Sequence, residues 1–456
     1  MASLEAATTC TGDSSADDLI IDLSDQGIGD KSIAQKVEEW QTLTLTSLIL
    51  LGNDLSDKAA STLSSMFASS GFGSLTYLNL QDNLITDTGA KNLAESICLQ
   101  PSPTLRVLRF GYNDIGEQGA AALIHALGNV LCELDLQYNA LGPAVCDAFA
   151  VALESGNCSI VSLGLLKTGI GLAGAATLGR SLSAYPRSHL RSLDLGSNEL
   201  GDEGVCAFVE AFTEKERAAG AVLEPACSCL ERLFLFDNEV GVVGAQALAT
   251  VLSKSAEESS HGIKLRLTNL DLEENDVCDL AEDDDEHASA CLQTIESSLS
   301  SNRNAKVAAS AARLRQDPTV LTKEDEESGE TISLDFEGDK IGDEGCIVLA
   351  EAIDEYNKIF GSRHSNGAAD DSSPSVSNTH RFPLLRSLNL NENGITTSSI
   401  DRLTTAIENN STLIEVSLKY NSGLGAEKEE LECNGPLARI GLAIKKNRAL
   451  DLKQHL

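Results

Sequence analysis

The sequence predicts an α/β fold built of stacked strand–helix repeats, and three observations support that prediction. The pattern Leu-x-x-Leu-x-Leu-x-x-Asn-x-Leu/Ile recurs along the chain, for example as LTSLILLGNDL from Leu45. Its second apolar position recurs every 26 to 30 residues from Ile21 to Leu193. A stretch with the apolar spacing of a helix follows each copy. A period of this length is typical of repeat architectures, and wider spacings after Leu193 indicate insertions.

The first half of each repeat predicts a short strand. In Leu-x-x-Leu-x-Leu the last two leucines alternate with variable residues, as in a strand with one buried face. The second apolar position of the twelve copies falls at Ile21, Leu48, Leu78, Leu108, Leu134, Leu163, Leu193, Leu233, Leu270, Leu334, Leu388 and Val416.

The second half of each repeat predicts a helix. Segments such as GAKNLAESI and GAAALIHAL place apolar residues at positions i, i+3, i+4 and i+7. Gly and Asp before each helix, as in GDEG at Gly201 and Gly342, predict a turn and a cap of that helix. A single repeat cannot bury its apolar face alone. Stacked repeats share one core, in which each buried leucine contributes roughly 1.5–3 kcal/mol.

An asparagine follows the predicted strand in nine of the twelve copies, and Gln26, Thr168 and Asp339 stand at that position in the others. A buried amide can donate to and accept from backbone groups left unpaired where the chain leaves a strand. We therefore predict a structural asparagine ladder consisting of Asn53, Asn83, Asn113, Asn139, Asn198, Asn238, Asn275, Asn393 and Asn421.

These repeats resemble leucine-rich repeats of the ribonuclease-inhibitor type over roughly residues 18–450. The resemblance implies a curved solenoid, or horseshoe, with a parallel sheet on the concave side and helices on the convex side. Members of this group include ribonuclease inhibitors, activators of the Ran GTPase and the sensor ends of innate immune receptors. They share a way of binding proteins rather than one activity, so the resemblance implies a fold more specifically than a function.

The organisation along the chain predicts a disordered leader at 1–17 and repeats 1–9 with a closing helix at 18–316. Next come an acidic linker at 317–330 and repeats 10–12 with a C-terminal cap at 331–456. A disordered loop is expected at 361–383, within these last repeats. The two cap-like endings indicate two arcs. One continuous solenoid with a long insertion explains the same pattern, and the sequence leaves both interpretations open.

The charge of the chain excludes several partners. Lys plus Arg total 34 and Asp plus Glu total 69, which gives a formal net charge of −35. Phosphate backbones and anionic membranes repel such a chain, so neither nucleic acid nor a membrane is an expected partner. A protein with a basic patch is the expected one. The scattered cysteines, and the lack of a signal sequence or a long apolar run, predict a cytoplasmic or nuclear location.

No pattern in the sequence predicts catalysis, a cofactor or a metal. The motif GIGLAG at Gly169–Gly174 matches a dinucleotide fingerprint, but Gly174 occupies a position that is glycine in several other repeats. The close pair Cys227 and Cys229 has no further ligands at metal-binding spacing. We therefore expect a protein without enzymatic activity.

The variable strand positions predict where a partner binds. Phe234 and Phe236 occupy two outward positions beside Arg232, a combination typical of interface hot spots, unless the long loops at 213–229 or 253–266 cover them. The outward positions also include an acidic set consisting of Asp135, Asp194, Asp271, Glu273, Asp335 and Glu337. We predict that these nine residues bind the partner. A second apolar group consists of Ile49, Leu51, Tyr77 and Val107.

Two functions follow from the sequence. The first is a non-catalytic scaffold that binds a protein on its acidic concave face. The alternative is an activator of a small GTPase, similar to the Ran activators, which are also acidic and have about this many repeats. The acidic C-terminal tail of those activators is missing here, since Lys445, Lys446 and Arg448 lie near the end.

Overall fold

The computed structural model describes residues 19–40, 43–68, 72–101, 103–185, 188–213, 229–256, 265–315, 331–366, 384–421, 424 and 435–454. Two compact units make up the chain, Met1–Leu299 and Ser300–Leu456. The predicted leader and the acidic linker 317–330 lie outside the described residues, as does 367–383 of the predicted loop.

The first unit alternates short strands with helices. Its strands are β1 Leu19–Asp22, β2 Leu45–Ile49, β3 Tyr77–Asn79, β4 Val107–Arg109, β5 Glu133–Asp135, β6 Ser162–Gly164, β7 Ser192–Asp194, β8 Arg232–Phe234 and β9 Asn269–Asp271. Its helices are α1 Gly29–Trp40, α2 Asp57–Ala68, α3 Asp87–Cys98, α4 Glu117–Leu127, α5 Ala144–Glu154, α6 Gly171–Ala184, α7 Gly201–Thr213, α8 Val242–Ala256 and α9 Asp276–Glu282. Helix α10, Glu286–Arg315, contains the boundary between the two units.

The nine strands form one parallel sheet in sequence order. Leu48 pairs with Leu78, Leu78 with Leu108, and Leu108 with Leu134, so equivalent repeat positions lie side by side. Neighbouring strands are about 4.8 Å apart, whereas helices are about 10 Å across, so a stack of such repeats curves with its sheet inside. We call the solvent side of this sheet the concave face. The predicted α/β solenoid is confirmed.

The core of the first unit lies between the sheet and the helices. Leu48, Leu78, Leu108 and Leu134 are fully buried, and one apolar cluster extends from Ile21 to Leu299. The repeat leucines form its sheet side, and residues such as Leu63 of α2 form its helix side.

The nine ladder asparagines are all buried. Asn83 shows the arrangement: its Nδ2 donates to the carbonyls of Leu50 and Leu80, both at 3.0 Å. Its Oδ1 accepts from the backbone N–H of Leu55 at 2.9 Å and of Asn53 at 3.2 Å. Each asparagine thus bonds backbone of its own repeat and of the preceding one, which links neighbouring repeats directly.

A second ladder consists of aspartates in the first turns of the helices. Asp87 Oδ1 accepts from the backbone N–H of Gly116 at 2.8 Å and of Gly119 at 2.7 Å. Asp202 bonds Gly241 and Gly244 in the same way. The sequence predicted that each aspartate caps its own helix, and this was wrong. The side chain caps the next helix, because the first turns of neighbouring helices lie side by side.

The second unit repeats the architecture on a smaller scale. Strands β10 Thr331–Asp335, β11 Leu384–Asn389 and β12 Glu415–Ser417 form a parallel sheet. Helices α11 Gly342–Asn366, α12 Thr397–Glu408 and α13 Pro436–Gln454 accompany them. Helix α11 extends into the start of the segment expected as a loop, 361–383, because helical hydrogen bonding continues to Asn366.

In the first repeat of this unit, Asp339 replaces the ladder asparagine and is 1% exposed. Its Oδ2 lies 2.5 Å from Nζ of Lys306 on α10. The lysine supplies the positive charge that a buried carboxylate needs, whereas the other repeats have an uncharged side chain at this position.

Candidate functional site

The concave face of the first unit is lined by rows of equivalent residues. Parallel pairing places the outward residue at each strand's carboxyl end next to its equivalent in the neighbouring strand. From β2 to β9 this central row consists of Ile49, Asn79, Arg109, Asp135, Gly164, Asp194, Phe234 and Asp271. Polar, charged and aromatic side chains therefore share one surface.

The predicted aromatic site lies near the C-terminal end of this sheet. Arg232, Phe234 and Phe236 are all half-buried. The ring of Phe236 lies over Gly196 on the neighbouring repeat, where an added Cβ would come within 2.4 Å of the ring. The glycine thus leaves room for the ring. The described residues leave part of both phenylalanines exposed, while 214–228 and 257–264 of the flanking loops lie outside them.

The predicted acidic residues also stabilise the strand ends. Oδ1 of Asp135, Asp194 and Asp271 each accepts, at 3.0 Å, from the backbone N–H two residues further on. These bonds cap backbone that leaves the sheet, as in Asx turns. Sequence reasoning assigned these carboxylates to a partner and missed this structural role. Glu273, next to Asp271, is exposed.

Two of these carboxyls have raised pKa values. Burial raises the pKa of Asp135 to about 6, although the hydrogen bond from Gln137 and the charge of Arg109 oppose it. The charges of Glu133 and Asp194 raise it further. Burial also raises the pKa of Asp194. The charge of the concave face therefore depends on pH in the mildly acidic range.

The second unit carries the remaining predicted acidic residues. Asp335 is exposed and its Oδ1 accepts from the backbone N–H of Glu337 at 3.1 Å. Oε2 of Glu337 accepts from Nδ2 of Asn389 at 2.9 Å. The predicted acidic set is thus divided between the sheets of the two units.

The second apolar group lies on β2–β4 and directly after β2, and its members, Ile49, Leu51, Tyr77 and Val107, are half-buried. Arg109 borders this group, with Cζ 5.6 Å from the centre of the Tyr77 ring. The guanidinium also forms a 2.8 Å ion pair with Glu133. Part of the positive charge on this face is therefore already compensated.

Sequence reasoning missed an aromatic stack beside the central row. The rings of Tyr112 and Tyr138 lie 4.0 Å apart, with 12° between their planes. Nζ of Lys167 lies 5.3 Å from the Tyr138 ring centre. A signal existed, since tyrosine directly precedes the ladder asparagine at Asn113, Asn139 and Asn421.

In the described part of the chain, no group of three or more His, Cys, Asp or Glu side chains could hold a metal ion. No helix there is long and apolar enough to cross a membrane. In the GIGLAG segment, a Cβ on Gly174 would come within 2.7 Å of Ile170 and 2.9 Å of Cys146, so this glycine allows close packing. Cys227 lies outside the described residues.

Comparisons with known proteins agree with this architecture. A leucine-rich-repeat profile matches residues 74–94, 102–123, 188–209 and 226–249. The ribonuclease inhibitor of Sus scrofa is 28% identical over 239 residues, which covers 46% of this chain and 49% of that protein. NACHT, LRR and PYD domains-containing protein 3 of Bos taurus is 32% identical over 181 residues, 39% of this chain and 16% of that protein. The matched region thus spans half or less of these two relatives.

Among solved structures, an internalin from Listeria monocytogenes is 21% identical, covers 56% of this chain and 61% of that chain, and has a TM-score of 0.31. The repeats, the asparagine ladder and the sequence matches define the class, a leucine-rich-repeat protein. Within that class, its repeats are similar to those of the ribonuclease inhibitor.

Proposed function

We propose that this protein is a non-catalytic scaffold that binds a protein partner with a basic patch on its concave face. The observation that carries the proposal is the pair Phe234 and Phe236, partly exposed beside Arg232 on a parallel sheet. Aromatic and arginine side chains are enriched at the centres of protein interfaces and among the residues that contribute most of the binding energy. The protein works in the cytoplasm or nucleus.

Two further features support a basic partner. The formal net charge of −35 attracts positively charged proteins over long range and accelerates their encounter. The central row contributes carboxylates on both sides of Phe234, since Asp194 and Asp271 pair with it in register. The similarity to a ribonuclease inhibitor also favours binding over catalysis.

The test is affinity capture from native cytosol, in which wild type is compared with Phe234→Ser/Phe236→Ser. The matched control is Leu172→Ser/Val243→Ser, which removes two apolar side chains, 44% and 64% exposed, from helices α6 and α8. All three proteins must first show equal thermal midpoints.

A partner that wild type and the control retain, but the phenylalanine variant loses, supports the proposal. Equal retention by all three proteins contradicts a site at these phenylalanines. Two acidic clusters in the sequence, at 279–286 and 324–330, would then be the next candidates for the binding site.

A further inference from the structure

Tyr112, Tyr138 and Lys167 form a three-layer stack at the edge of the concave face. They occupy the same position in three consecutive repeats, directly before the residue of the asparagine ladder. One face of Tyr138 meets Tyr112 at 4.0 Å between ring centres, and the lysine, from the repeat on the other side, lies 5.3 Å from the same ring. The chain's own cation therefore closes one end of the stack, and Tyr112 forms the other end.

Folding alone does not explain two tyrosines at this position. Both have left-handed backbones, with φ of +54° at Tyr112 and +53° at Tyr138, a conformation that bulky residues rarely adopt. Most other repeats place small or acidic residues there, such as Asp25, Gly52, Asp82, Ser197 and Asp237, and the exceptions are Lys167 and Tyr420. Tyr112 is still 46% exposed, so its ring adds little to the core. Every repeat has this left-handed backbone, so the exposed aromatic side chain, rather than the backbone, is the feature that indicates a function.

Negative charge lies beside the open face of Tyr112. The preceding repeat has Asp82 at the same position, and this side chain is exposed. A hydrogen bond with Tyr138 and the charges of Asp135 and Asp82 raise the pKa of Tyr112. Nε2 of Gln81, which lies two strands away, donates a 2.8 Å hydrogen bond to Oδ2 of Asp135. The open end of the stack thus has an aromatic face with carboxylates next to it.

We propose that the space between Tyr112 and Asp82 binds an arginine side chain of a basic partner protein. A guanidinium can lie flat on the tyrosine ring while its N–H groups bond the carboxylate. The same chain already places cations on tyrosines, Lys167 on Tyr138 and Arg109 over Tyr77. The net charge of −35 selects a cationic occupant over a phosphate-bearing one.

The experiment measures fluorescence anisotropy of a labelled peptide of four Arg-Gly units. Tyr112→Ser is compared with Tyr420→Ser, which removes a 78% exposed tyrosine with φ of +60° before Asn421 in the second unit. Neither substitution changes the net charge, so general attraction of the peptide is the same in both. Tyr112→Phe keeps the ring and tests whether loss of binding reflects loss of the stack.

We expect Tyr112→Ser to raise the Kd at least fivefold and Asp82→Asn at least threefold. Tyr420→Ser and Tyr112→Phe should each stay within twofold of wild type. Equal affinity of wild type and Tyr112→Ser would overturn the proposal, as would equal losses for the two serine variants. Self-association that Tyr112→Ser abolishes would also overturn it, since a second copy would then be the occupant.

This inference rests on the proposed protein-binding function, but its test does not depend on capture of a partner. Suppose that the phenylalanine variant loses a partner while Tyr112→Ser binds the peptide with the same Kd as wild type. The scaffold function is then supported and the arginine site is wrong. If the peptide depends on Tyr112 and no partner depends on Phe234 and Phe236, the arginine site stands and the aromatic site is wrong.

Discussion

Replacing Asp135 with asparagine should stabilise the protein at neutral pH but not at acidic pH. The pKa of this carboxyl rises from an ordinary 3.8 to about 6 in the folded protein. The folded state therefore prefers the protonated form. The resulting destabilisation is absent below about pH 3.8, grows as pH rises through the range from 3.8 to 6, and is complete above about pH 6.

The magnitude follows from the size of the pKa change. Each pKa unit corresponds to about 1.4 kcal/mol, so a rise of about two units sets a ceiling of about 3 kcal/mol. The asparagine Oδ1 can still accept from the backbone N–H of Gln137. Its Nδ2 would face Nε2 of Gln81, and both groups are donors. The side-chain amide of Gln81 must therefore rotate, which costs about 1 kcal/mol. We expect a net gain of about 1–2 kcal/mol at pH 7.5 and none at pH 4.

The assay is urea unfolding at pH 4, 5, 6 and 7.5, followed by fluorescence of Trp40. This residue is the single tryptophan of the chain, is buried, and belongs to the same unit as Asp135. Asp22→Asn removes one formal charge from an exposed position and controls for general relief of repulsion. A gain that is equal at pH 4 and pH 7.5, or no gain at pH 7.5, would refute the reasoning.

Three further predictions concern the ladder, the second unit and the alternative function. Asn113→Ala should lower the free energy of unfolding by about 1–3 kcal/mol, because buried backbone groups lose their hydrogen-bond partner. An unchanged urea midpoint and slope would contradict the structural role of the ladder. Lys306→Met should destabilise the second unit by about 3 kcal/mol, because it removes the cation beside the buried carboxylate of Asp339. Adding Asp339→Asn should restore most of that loss, as measured by hydrogen exchange in Leu384–Asn389, and no restoration would argue against the ion pair. We expect no stimulation of GTP hydrolysis by a Ran-type GTPase at micromolar protein, whereas stimulation would favour the alternative function.

Much of the fold could be predicted from the sequence because each repeat contacts mainly its neighbours. Leu48 and Leu78 pair in register because the same pattern precedes and follows each of them. The ladder asparagine could be predicted for the same reason, since the same backbone groups need a hydrogen-bond partner in every repeat. The outward positions of Phe234 and Phe236 could be predicted because alternation in a strand determines which side chains point outward.

Other parts of the site could not be predicted because they depend on distances between repeats. The stack of Tyr112 and Tyr138 requires both the left-handed backbone and the parallel register of β4 and β5. The contact between Phe236 and Gly196 likewise joins residues of two neighbouring repeats.

By itself, the sequence determined the repeat, the alternation of strand and helix and the buried positions, because these follow from local periodicity. Only the tertiary structure decided that Asp87 caps the next helix, that Lys306 compensates Asp339 and that Asp135 has a raised pKa. These properties depend on burial and on partners more than twenty residues away in the chain. The physical reason is that hydrogen bonding and electrostatics depend on spatial separation, whereas the repeat pattern depends on sequence separation.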